Sequence, residues 1–144
     1  MLENIKQYLL QYKLFKEIED DIGFDYQTDQ PDSFSLHSVP ETRLLNEDVL
    51  GNKYMQFSFT LTSRAYTATD LNRIENLKLL DDFSEWVYLQ NQKGNLPILN
   101  KNQIATELVV TSNAYLYSND PTIQNGVYQV QLKLYYKEVI ENGN

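Results

Sequence analysis

The sequence predicts an α+β domain. Its antiparallel sheet has about four strands, the order along the chain is α-β-β-α-α-β-β, the helices pack on one face, and the C-terminus forms a long hairpin. Three observations carry this. Between Tyr54 and Arg64, Met55, Phe57, Phe59 and Leu61 alternate with Gln56, Ser58, Thr60 and Thr62, a period of two that turns one face into a core. Ile104 to Tyr117 and Tyr128 to Tyr136 alternate in the same way, and the turn residues from Ser118-Asn119-Asp120-Pro121 to Asn125-Gly126 join them as a hairpin. Thr67 to Gln92, between the two strand pairs, has the composition of helix.

The elements follow in order within a single domain, 1–144. Residues 1–18 form an N-terminal helix with Leu2, Ile5, Tyr8, Leu9, Tyr12 and Phe15 on one broad face. Leu10, Leu14 and Ile18 make a second stripe on the far side, which fits either a second helix of the same chain or a neighbouring subunit. Residues 19–33 are an acidic surface connection whose spacing fails the calcium-loop pattern, because no alternating Asp/Asn run leads to a Gly and a distal Glu. Phe34 to Val39 reads as a strand stopped by Pro40, with a mobile loop and the Leu50-Gly51-Asn52-Lys53 turn before its antiparallel partner.

In the helical stretch the apolar phase changes from Leu71, Ile74 and Leu77 to Leu80, Phe83, Trp86 and Val87. This predicts a break near Leu79 to Asp82, two short helices capped by Thr69 and Asp81, and an end at Gly94 enforced by Pro97. Residues 138–144 are a short C-terminal tail.

Charge and composition narrow the chemistry. Twelve Lys and Arg stand against 20 Asp and Glu, for a net charge of -8, which opposes tight binding of nucleic acid. The absence of Cys excludes thiol chemistry, and a lone His37 excludes the usual His/Cys zinc site. No apolar run has the length of a membrane span, and no signal-peptide pattern opens the chain, so an intracellular protein is expected. Dinucleotide fingerprints, phosphate loops, nucleophile elbows and paired helical histidines are missing as well.

Carboxylate pairs such as Asp81 with Asp82, or Glu75 with Asp81, read better as caps than as acid and base, and Trp86 sits at core phase. No catalytic, cofactor or metal residue is assigned. Eleven tyrosines are the unusual feature, and Val109, Tyr115, Tyr117 and Tyr135 fall on the second face of the hairpin among Glu107, Lys133 and Lys137. Together with Leu10, Leu14 and Ile18 they are the expected subunit interface.

One family resemblance joins these elements. Its segments are Phe57-Ser-Phe-Thr-Leu-Thr-Ser-Arg64-Ala-Tyr66, Asn72-Arg-Ile-Glu-Asn76, Phe83-Ser-Glu-Trp86 and Gln90-Asn-Gln-Lys-Gly94-Asn-Leu-Pro97. In this order they resemble the minor capsid, or tail-terminator, family of long-tailed bacteriophages and prophages of Gram-positive bacteria. The resemblance runs from about Phe34 to Tyr136 and contains no catalytic motif. It implies a non-enzymatic virion protein of the head-tail junction, assembled in the bacterial host cytoplasm. Such a protein forms a homo-oligomeric, hexameric ring that caps the tail tube protein and joins it to the head connector or adaptor proteins. DNA passes through without specific binding, and neither a cofactor nor a membrane is involved. The alternatives are a head-closure or adaptor protein of the same junction and a small acidic binding module or inhibitor.

Overall fold

In a computed structural model of the chain, which describes residues 1–12, 22–24, 33–66, 70–113, 115–120 and 125–140, a six-stranded sheet lies against two helices. The helices are α1 (Leu2–Leu9) and α2 (Asp70–Lys93). The strands are β1 (Ile22–Phe24), β2 (Ser33–Glu47), β3 (Lys53–Tyr66), β4 (Gln103–Val110), β5 (Tyr115–Asp120) and β6 (Asn125–Glu138). Spatially they run β1-β2-β3-β6-β4, with β5 also paired to β6. All pairings are antiparallel except that of β1 with β2. The α+β class and the mainly antiparallel sheet agree with the sequence, whereas strand number and order differ.

The centre is the β3–β6 ladder, unbroken in register from Lys53 opposite Glu138 to Tyr66 opposite Asn125. Alternation then sorts side chains without exception: Phe57, Phe59 and Leu61 meet Leu134, Leu132 and Val130 on one face. These residues join Phe34 and Leu36 of β2, Leu108 of β4 and Leu80, Phe83 and Val87 of α2 in one buried core. This is the helix face of the sheet.

Four expectations are corrected. First, α2 is continuous through Leu79 to Asp82, and Asp81 is an exposed mid-helix residue rather than a cap. That stretch has no Gly or Pro, and a shift of apolar phase only changes which neighbour the helix faces. Thr69 lies outside the described residues.

Second, β2 continues through Pro40. The register jumps from Ser38/Phe59 to Thr42/Phe57, so residues 39–41 bulge opposite Ser58, and a second shift follows between Leu44 and Asn46. A bulge removes the ladder bond that proline cannot make. The expected mobile loop is a tight turn instead. Its Asp48 Oδ1 accepts the N–H groups of Leu50 and Asn52 at 2.9 and 3.0 Å, Gly51 takes φ of 90°, and Asn52 Oδ1 accepts the N–H of Ile140. Hydrogen bonding, first of all from the Asn52 side chain, holds the Asp48 carboxyl below the usual carboxylate range.

Third, the strand expected over Ile104 to Tyr117 is split into β4 and β5. At the break the N–H of Thr111 donates to Gln131 O, and Ser112 Oγ accepts the Gln131 N–H. Fourth, within the expected acidic connection residues 22–24 form β1, and α1 ends at Leu9 with Leu10 as its C-cap. Residues 13–18 of the expected helix lie outside the described residues.

Two side-chain devices fix the helices. Asn91 of α2 donates through Nδ2 to Leu108 O, and its Oδ1 accepts the Leu108 N–H at 2.8 Å. The amide thus imitates a neighbouring strand for the edge strand β4. At the N-terminus, Tyr8 packs on Trp86 with ring centroids 5.5 Å apart and donates its hydroxyl to Asn95 O at 2.9 Å. Asn95 also donates to Gln11 and Gln90 side chains just after Gly94, which ends α2 with φ of 73° as its sequence position predicts.

Replacing Asn91 with Ala should cost about 2 kcal/mol in urea unfolding, since two hydrogen bonds to buried backbone groups go at once, while Gln92→Ala stays near wild type. Burial pushes the Tyr8 phenol from 10.0 up to about 12. The folded pKa lies above the unfolded one, so this contribution to stability is full below pH 10 and is lost as pH rises towards 12. The expected outcome is a flatter decline above pH 10 for Tyr8→Phe than for wild type, read from the fluorescence of the single tryptophan.

Candidate assembly interface

The other face of the sheet has a different construction. Register places four rows across it: Asn46–Tyr54–Lys137–Ile104, Arg43–Gln56–Tyr135–Glu107, His37–Thr60–Gln131 and Ser35–Thr62–Gln129–Tyr115. Between the second and third lie Ser58, Lys133 and Val109. No residue of these rows belongs to the core formed by the helices, so this outer face has no helix of the described residues packed on it.

Its middle is nevertheless shielded. Ser58 and Thr60 are only 8% and 9% exposed, and Gln56, Thr62 and Ser35 are buried too. The short hydroxyl residues of the central strand β3 lie between the longer Gln129, Gln131, Lys133 and Tyr135 of β6 and Arg43 and His37 of β2. The result is a trough with a floor of Ser, Thr and Gln and walls of Tyr, Lys and Arg.

Hydrogen bonds and ring contacts hold the walls. Tyr115 Oη accepts from Gln129 Nε2 at 2.8 Å and from Gln131 Nε2 at 3.3 Å. Lys137 Nζ stands 5.7 Å from the centre of the Tyr54 ring, a cation–π contact that keeps the ammonium over the face. Ile104, on the same side, is 56% exposed.

Of the residues the sequence singled out, Val109, Tyr115 and Tyr135 are half-buried side chains of this one face. The side chain of Tyr117 lies outside the described residues, as do Leu14 and Ile18. Leu10 is half-buried against the core, so it serves the interior of its own subunit. Sequence reasoning missed Tyr54, Ile104 and Arg43 as members. Parity along β3 already places Tyr54 beside Gln56, opposite the core positions, whereas parity along β4 sets Ile104 with Leu108 and only the bulge at Thr106 turns it to the outer face, and Arg43 lay in a segment read as loop.

A further concave feature is an open groove of about 900 Å³ between α2 and β4. Asp81, Glu85 and Glu107 line it without any His, Lys or Arg, and Asn91 is engaged by Leu108. His37 lies on the outer sheet face, Glu75 has no described side chain, and Trp86 is packed among Tyr8, Tyr12 and Phe83. Among the described residues no group of His, Cys, Asp and Glu could hold a metal ion, and no helix is long and apolar enough to cross a membrane. Compared with protein-family models and with curated proteins, the chain matches none.

The two faces should answer differently to substitution. Phe59→Ala removes a buried ring from the helix face and should cost about 3 to 5 kcal/mol. Thr60→Val, one residue along, should leave unfolding within about 0.5 kcal/mol of wild type, because nothing in the core rests on that hydroxyl. Parallel urea melts measure both.

Proposed function

We propose that this protein is a structural component of the head-tail junction of a long-tailed phage, a tail terminator that forms a ring, caps the tail tube and meets the head connector. It acts through contacts between subunits rather than through turnover. The observation that carries the reading is a two-layer body with one sheet face sealed by helices and the other left with Tyr54, Tyr135, Ile104, Lys133 and Lys137 towards solvent. Exposed surface of mixed apolar, aromatic and cationic character is the composition of an interface core with its rim.

The family resemblance over Phe34 to Tyr136 supplies the context, and the segments on which it rests fall in β3, in α2 and directly after α2. A net charge of -8 suits a channel for DNA, since carboxylates repel the duplex at short range and are screened beyond about 8 to 10 Å at physiological salt.

Light scattering at several concentrations, with and without purified tail tubes, tests the proposal. Rings, or a mass that rises when tubes are added, are expected. A monomer that ignores both concentration and tubes would overturn it in favour of an acidic binding module.

A further inference from the structure

We infer that the outer sheet face of one copy receives the outward side of α2 from a second copy. This rests on the assembly role proposed above and gives it a specific contact.

Charge supplies the first argument. In a chain of net charge -8 the outer face gathers Arg43, Lys133 and Lys137, while the outward side of α2 presents Asp81, Asp82 and Glu85, all exposed. These cations and the carboxylates of α2 lie on opposite faces of the sheet, so a contact between the outer face of one copy and α2 of another sets them against each other. Glu107, at the rim of the sheet face and of the α2 groove, adds a carboxylate within reach of a neighbour's Lys78 or Lys93.

Shape supplies the second. At 100° per residue, Lys78, Asp81, Asp82, Glu85, Tyr88, Leu89 and Gln92 share an arc of about 120°, opposite the buried Leu80, Phe83 and Val87. Tyr88 is 61% exposed and Leu89 is also exposed, which gives the arc an apolar end to set against Ile104, Val109 and Tyr135. The 24 residues of α2 span roughly 36 Å, and the 14-residue strands β3 and β6 roughly 46 Å, so the helix fits along the trough. Docking there makes a helix–sheet–helix sandwich of the sheet.

The contact joins two different surfaces, so each copy keeps one of each free after the first pairing. Such a heterologous contact repeats head to tail and closes into a ring when its rotation divides a full turn.

Charge reversal tests this. Lys133→Glu/Lys137→Glu and Asp81→Lys/Asp82→Lys/Glu85→Lys should each weaken self-association at least tenfold in sedimentation velocity at low salt, with and without tail tubes. An equimolar mixture should restore assembly, because each variant then meets only opposite charges. Wild type that assembles while both variants assemble equally well overturns this contact and leaves the assembly role standing. Wild type that stays monomeric throughout overturns both. If either variant fails to fold, Glu85→Cys/Lys133→Cys carries the test in a chain otherwise free of Cys. Oxidation should then give a ladder of covalent copies, and monomer alone would reject the contact.

Discussion

The uninterrupted pairing of β3 with β6 governs the rest of the molecule. Every residue from Lys53 to Tyr66 has a fixed partner, so the alternation of each strand is converted into two faces of opposite character. A slip of one position would carry Phe57, Phe59 and Leu61 to the outer face and set Ser58 and Thr60 against α2, losing the core outright. Helix packing, the Asn91 clamp on β4 and the trough all presuppose that register.

The outer layers adapt to this centre. β2 follows β3 only by taking up two irregularities, and β4 and β5 share the far side of β6 with a gap between them. The helices are held by individual side chains, Asn91 for α2 and Tyr8 for α1. Rigidity is therefore concentrated in the two middle strands, with local devices fastening the periphery.

Legibility in the sequence follows the same division. β3 and β6 were readable because strict alternation over a long run has one structural solution, and Gly94 was readable because a left-handed residue after a helix has few other uses. Pro40 misled because its usual meaning, an end of a strand, gives way when a bulge leaves its nitrogen without a ladder partner. The break at residues 111–113 was hidden, since Thr111 and Ser112 continue the alternation while redirecting their bonds to Gln131. On the candidate interface, Val109, Tyr115 and Tyr135 could be placed by parity alone. The outward side of α2 could not, because dividing the helix at Leu79 to Asp82 scattered Asp81, Asp82 and Glu85 over two imagined segments.

The kinks in β2 and β4 have a further effect. β4, and β2 beyond its short pairing with β1 at Phe34 to Leu36, border the described sheet, and each loses its even spacing of donors and acceptors, at residues 39–41 and Leu45 in β2 and at Thr106 in β4. Two molecules meeting rim to rim would find no straight template on which to zip, so growth into amyloid-like ribbons is obstructed where it would have to begin. The aromatic and cationic outer face is thereby kept apart from the strand edges, where such pairing would begin.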